Sequence, residues 1–262
     1  MKFTEILAAA RHNGDKLIYP GPEEWKQGRT LFGGLTASLC LHSALEKTGE
    51  TRPLRSAMIS FVGPSSDHLT GFARVLRSGR TASTIHAGLQ NNGNEATAAL
   101  LTFSPPRESA VLFEPASMPA IGGPDIADIM DLSSIGGPIF MRNFDVIAAG
   151  GSIPMSGSTK PEVSWWARHK DPDARGSQLG LVCLGDILPP AALTMASTPT
   201  PISSMTWMID LVRDDLATDD GWYLFHSRAD VVAGGFSTQD MSIWNTAGNL
   251  IAKGRQTVTM FG

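Results

Sequence analysis

From Lys16 to Phe261 the chain reads twice. A long internal repeat constrains a fold more than composition does, because each copy must be one unit that buries its apolar face against its neighbour. The first copy opens with two short extended candidates, Lys16–Tyr19 and Glu24–Gln27, and an apolar helical stretch, Gly33–Lys47. Strand-like runs follow at Arg55–Val62, Leu69–Arg77 and Thr81–Asn91, and after the turn Asn92-Gly93-Asn94 a last strand runs to Phe103. The second copy keeps that order. It has extended candidates near Met141–Ile147 and Val163–His169, an apolar stretch Leu179–Met195, then runs at Met205–Val212, Trp222–Val231, Phe236–Asn245 and Asn249–Phe261. Its turn Asn245-Thr246-Ala247-Gly248 answers the one at Asn92-Gly93. Residues 105–138, rich in Pro, Gly and Ser, read as a linker. The expected division is therefore an N-terminal repeat over 1–104, a linker over 105–138 and a C-terminal repeat over 139–262.

The period of each piece decides its type. Trp222, Leu224, His226, Arg228 and Asp230 alternate with Tyr223, Phe225, Ser227, Ala229 and Val231, which is strand spacing with one wetter face. Leu31, Phe32, Leu35, Leu39, Cys40, Leu41 and Leu45 instead cover nearly every side of a helical wheel. A helix apolar all round must be buried all round. An antiparallel sheet wrapped around a central helix supplies that burial. The expected fold is thus α+β, a double hot-dog whose two sheets join edge to edge, covering one exposed edge in each copy.

The rest of the sequence narrows function by exclusion. A net charge of -4 gives no electrostatic case for nucleic acid. No apolar run reaches the roughly 18 residues needed to cross a bilayer, so no membrane partner is expected. The start MKFTEILAAARHNGDK lacks the apolar core of a signal peptide, and its ILAAA stretch reads as a short helix. The two cysteines, Cys40 and Cys183, sit in apolar runs and read as buried thiols. There is no Gly-x-Ser-x-Gly elbow, no zinc-like histidine pair and no Gly-rich phosphate loop. A cytoplasmic protein with no cofactor and no metal fits these features. Eleven methionines, with Trp207 and Trp244, suit either an adaptable apolar pocket or plain core.

Two polar residues stand where the pattern calls for apolar ones. In the last strand Leu250, Ala252, Gly254, Gln256, Val258 and Met260 share the inward face. A buried amide without partners costs about 1–3 kcal/mol, so something must hydrogen-bond Gln256. Asp186 interrupts LGLVCLGDILPPAALTMA. Pro189-Pro190 is tolerated only in a first turn, so a helix is expected to begin or restart just beyond Asp186, which would make Asp186 an N-cap. A helix N-terminus also holds a carboxylate ionised. Aligning Gly93 with Gly248 puts Leu101 opposite Gln256, and aligning Leu31–Gly34 with Cys183–Asp186 puts Gly34 opposite Asp186. The paired absence in the first copy points to one working site and one retired one.

With those residues in hand, the chain resembles the bacterial acyl-CoA thioesterase II family over nearly its full length. The matching stretches are GRTLFGGLTASL (Gly28–Leu39), LGDILPPAAL around Asp186, and GGFSTQDMSIWNTAGNLIAKGRQTVTMF at the end. The resemblance implies hydrolysis of acyl-CoA thioesters to fatty acid and CoA. It implies that an aspartate, a glutamine and a Ser/Thr hydroxyl position and activate a water; Asp186 and Gln256 match the first two. For the hydroxyl, Thr206 is favoured slightly over Ser204, since both share one face of the strand PISSMTWMIDLV. Where the family tends to carry a histidine in the first copy, this sequence reads Arg55, Ser56, Ala57, Met58. Substrate contacts are expected from the helix-start amides near Gly33 and Gly34. Arg255 is expected on the CoA phosphates, with Lys253 and Arg228 as further candidates. A homodimer or higher homo-oligomer is expected. The runner-up is a non-catalytic double hot-dog module that binds acyl-CoA or a related lipid thioester.

Overall fold

The computed structural model describes residues 1–114, 116–132 and 136–261; of the expected linker, residues 115 and 133–135 lie outside it. The first half contributes a short helix α1 (Phe3–Ala8) and strands β1 (Arg11–Asn13), β2 (Lys16–Tyr19), β3 (Lys26–Gln27) and β4 (Thr30–Leu31). Helix α2 (Gly33–Thr48) follows, then β5 (Leu54–Phe61), β6 (Leu69–Ser78), β7 (Ser83–Asn91) and β8 (Asn94–Phe103). The second half contributes β9 (Phe144–Gly151), β10 (Glu162–His169), α3 (Gln178–Leu184), β11 (Ile202–Leu211), β12 (Tyr223–Ala233), β13 (Phe236–Asn245) and β14 (Leu250–Met260). Glu24 and Trp25, expected to be extended, lie in a 3-10 turn instead.

Twelve of these strands form one antiparallel sheet in the order β1-β2-β6-β7-β8-β5-β11-β14-β13-β12-β10-β9. The seam between halves is β5 against β11, with Ile209 opposite Ala57 and Trp207 opposite Ile59. This is the double hot-dog that the sequence predicts. Each half's edge-forming strand meets its counterpart, so neither is left as an open row of backbone donors and acceptors. The halves also repeat their irregularities. A bulge at Leu76 in β6 is matched by one at Asp230 in β12, and a bulge at Arg55 in β5 by one at Met205 in β11.

Helix α2 is buried on all sides from Gly34 to Leu41, as its wheel requires, and reaches solvent in its last turn at Glu46. Leu35, Ala37, Leu39, Cys40, Leu41 and Ala44 are each at most 1% exposed. It ends where Gly49 turns left-handed (φ 64°) and returns its N–H to Leu45 O at 2.9 Å. The second helix departs from expectation. The apolar stretch Leu179–Met195 is not one helix: α3 stops at Leu184, and a 3-10 turn, Ala191–Thr194, follows the two prolines. Proline disfavours helical geometry in the residue before it, so Leu188 cannot continue the helix and the chain breaks between Gly185 and Pro190. Asp186 therefore follows a helix end; it is not an N-cap.

Among the described residues of the linker the one regular element is a 3-10 turn, Ile126–Asp128. It is nonetheless a packed strap. Met118, Ile121 and Ile129 cover Ile147, Trp166, Trp222, Leu224 and Trp244 on the outer face of the second half's sheet. The indole N–H groups of Trp166 and Trp244 donate to Gly122 O (2.9 Å) and Ala116 O (3.4 Å).

Candidate active site

The break after α3 delivers Asp186 to the start of α2. A side chain at Gly33 would bring its Cβ within 2.6 Å of Asp186 Oδ2, and one at Gly34 within 2.1 Å of the Cys183 carbonyl. Only glycines let helix and carboxylate approach this closely. The Gly34 backbone N–H bonds the carboxylate. Gly34, expected to be the first-copy counterpart of Asp186, is thus its contact partner. Counting from the two helix starts, the position matching Asp186 is Leu41, which is buried core.

Gln256 reaches the same place from β14. It is 2% exposed, and its Nε2 donates to Asp186 Oδ1 at 2.8 Å and to Ser204 Oγ at 3.0 Å. Its Oε1 accepts from Gln239 Nε2 at 2.7 Å. Thr206, the favoured hydroxyl, does not join this cluster. The bulge at Met205 makes Ser204 pair with Val258 but Thr206 with Thr257, so the two hydroxyls fall on opposite faces of the sheet. Thr206 is exposed on the outer face and Ser204 is half-buried at the carboxylate. A bulge has no signature in alternation alone, which is why regular spacing put both hydroxyls on one face.

Burial raises the Asp186 carboxyl from its ordinary value to about 7, against the lowering effect of the Gln256 and Gly34 hydrogen bonds. The carboxyl is surrounded by protein yet half-buried by surface, because it lines two cavities. One, of about 700 Å³, is bounded by Arg29, Thr30, Gly33, Phe61, Ser65 and Ser203 among others. The other, of about 500 Å³, is mostly apolar, with Met130, Leu132, Phe140, Met141, Met155 and Trp165 in its wall. The two meet at Gln27, Asp186, Ile202 and Ser204.

Three methionines thus line a cavity, whereas Trp207 is core and Trp244 lies under the strap. Met130 and Leu132 come from the segment read as a linker, so sequence reasoning missed a wall of the site. It also missed Gln239 and Arg29.

Arg255 sits elsewhere. Neighbouring Gln256 points inward, so Arg255 points out, where it bonds Asp240 (2.7 Å) and Asp230 (3.0 Å) and borders an outer-face groove with Met58 and His86. Lys253 shares that face and donates to Ser242 Oγ at 2.7 Å. Arg55, at the place of the absent histidine, pairs with Asp214. Among the described residues no three His, Cys, Asp or Glu side chains converge as a metal site, and no helix is long and apolar enough to cross a membrane.

Two protein-family models match the chain: an acyl-CoA thioesterase N-terminal domain over residues 21–104 and an acyl-CoA thioesterase C-terminal domain over residues 115–260. No curated protein sequence matches. Among solved structures, a conserved protein of unknown function with hot-dog fold from Alicyclobacillus acidocaldarius superposes with a TM-score of 0.88 at 21% identity, covering 99% of this chain and 98% of that one. An acyl-CoA thioesterase II, TesB2, from Mycobacterium marinum gives 0.76 at 18% identity, covering 99% and 97%. A TesB protein from Mycobacterium avium subs paratuberculosis gives 0.77 at 14%, covering 99% and 98%. At these identities the structures speak to the fold alone.

Proposed function

The chain belongs to the acyl-CoA thioesterase family, and from that premise we propose that it hydrolyses acyl-CoA thioesters with Asp186 as general base. The observation that carries the reading is the cluster of Asp186, Gln256 and Ser204 at the junction of two cavities, beside the start of α2. The apolar cavity suits an acyl chain and the wetter one the pantetheine arm, which puts the thioester carbonyl at their meeting point. A water held by Asp186 and Ser204 gives its proton to the carboxylate while its oxygen adds to the carbonyl carbon. The first-turn N–H groups of α2 other than that of Gly34, which Asp186 holds, face the developing oxyanion. Collapse of the tetrahedral intermediate breaks the C–S bond. A thiol of pKa near 8.5 leaves without a strong acid. A base with its pKa near the working pH is well matched to this task.

Arg29, exposed on the rim of the wetter cavity, takes over the phosphate-binding role expected of Arg255. The test is thiol release across acyl-CoA chain lengths, with Asp186→Asn as control. Turnover that the control loses by on the order of a hundredfold or more supports the reading. Binding of acyl-CoA without thiol release at any length would leave the non-catalytic module instead.

A further inference from the structure

Gln239 lies on β13 directly across from Gln256, is completely buried and lines neither cavity. Its Oε1 accepts from the backbone N–H of Ala191 at 2.7 Å, and its Nε2 donates to Gln256 Oε1 at 2.7 Å. We propose that Gln239 is a positioning residue that fixes which end of the Gln256 amide faces Asp186 and Ser204. The proposal rests on Asp186 and Gln256 being the reacting pair.

The order of donors and acceptors leaves one arrangement. A backbone N–H can only donate, so Gln239 must turn its oxygen to Ala191. Its NH₂ group then faces Gln256, which must present its own oxygen there. The Gln256 NH₂ is thereby aimed at Asp186 Oδ1 and Ser204 Oγ. Flipping Gln256 alone would set two NH₂ groups against each other and an amide oxygen against a carboxylate. The orientation thus originates at one backbone group, held in place by the Pro189-Pro190 break that precedes the turn at Ala191.

The retired copy supports a functional pairing. In the first half the corresponding cross-strand pair is Ile85 and Leu101, both buried and apolar. Where Gln256 is absent, its partner is absent too. A glutamine serving the scaffold alone would have no reason to vanish with it.

The groups facing Asp186 are few. From α2 come Gly33 and Gly34, from β5 Phe61 beside Gly33, from β11 Ser204 and from β14 Gln256. From α3 comes the Cys183 thiol, which burial keeps neutral, and Arg29 stands on the cavity rim. Losing the Gln256 N–H removes an interaction that favours ionised Asp186.

Gln239→Glu and Gln239→Met separate the possibilities. The position is completely buried, so a glutamic acid there stays neutral and keeps the wild-type pattern, accepting from the Ala191 N–H and donating its O–H to Gln256 Oε1; a methionine there keeps the volume and leaves Gln256 free to turn. The readouts are thiol release from acyl-CoA and, independently of turnover, titration of the Asp186 carboxyl by ¹³C NMR. For Gln239→Met we expect kcat to fall by on the order of tenfold to a hundredfold with KM changed by less than about twofold. Gln239→Glu should keep kcat within a small factor of wild type, and the Asp186 titration should move to higher pH in Gln239→Met alone. Should the introduced acid prevent folding, the Gln239→Met expectation stands alone. Wild-type kcat in Gln239→Met, or a lower kcat there with an unmoved Asp186 titration, overturns the positioning role. A wild type that releases no thiol while the titration still moves overturns the hydrolase reading and leaves the positioning intact.

Discussion

Asp186 carries opposite consequences for chemistry and for stability. As the proposed base it must be ionised, so kcat should rise with pH through about 7, the value to which burial lifts it. Its folded pKa lies above its unfolded one, so the folded chain binds the extra proton between roughly 4 and 7. Its stabilising contribution is then complete below the unfolded value and lost as pH rises through about 7. Asp186→Asn should therefore unfold like wild type at pH 4. At pH 8 it should be more stable by about 1–3 kcal/mol, a range reduced from full burial because the carboxyl opens on cavities. Urea melts at the two pH values measure this; a mutant destabilised at pH 8 would mean that the ionised carboxylate is well paired. Ser204→Ala should cut kcat by about tenfold or more while Thr206→Ala leaves it unchanged, since only Ser204 Oγ meets Gln256.

Among the elements, the start of α2 and the end of α3 matter most, and both depend on glycine and proline. Gly33→Ala would place a methyl 2.6 Å from Asp186 Oδ2, space that the carboxylate can yield only by moving. The expected outcome is a folded protein with little turnover, read by circular dichroism and thiol release together. Gly34→Ala meets the Cys183 backbone carbonyl at 2.1 Å instead. Backbone has less freedom to yield, so this variant should lose Tm as well as activity. On the hairpin β3–β4, Arg29→Glu should raise KM with kcat kept, whereas Arg255→Glu, on the far face, should change neither.

At the scale of the whole molecule the halves share a framework, and the proposed site draws its polar residues Asp186, Ser204 and Gln256 from the second. Leu101→Ala should cost about 2–5 kcal/mol through a core cavity, yet leave kcat of the folded fraction within a small factor. Titration with a non-hydrolysable acyl-CoA analogue should saturate at one per chain; two equivalent sites would mean that the first half is not retired. The strap differs from an ordinary linker in closing the apolar cavity through Met130 and Leu132 while its earlier part covers Trp166 and Trp244. Changes at Leu132 should accordingly shift chain-length preference more than overall stability.

The sequence by itself determined what depends on neighbours along the chain. Alternation set the inward face of β14, which puts Gln256 inside, and the all-round apolar wheel of α2 required a sheet wrapped about it. The repeat of turns at Gly93 and Gly248 matched Gln256 to Leu101, and the sheet registers agree, pairing Leu101 with Ala57 and Gln256 with Trp207, each two residues beyond a corresponding bulge. Only the tertiary structure decided the rest. Regular period-two spacing put Ser204 and Thr206 together; one extra residue at Met205 separated them. Local propensity made Asp186 a helix start; its partner is the start of a different helix, about 150 residues earlier in the chain. Arg255 neighbours Gln256 in sequence and lies across the sheet from it. Gln239 and Arg29 have no pattern of their own. A site is a meeting of residues distant along the chain, and its geometry follows from which bulge, break and strand register bring them within hydrogen-bond reach.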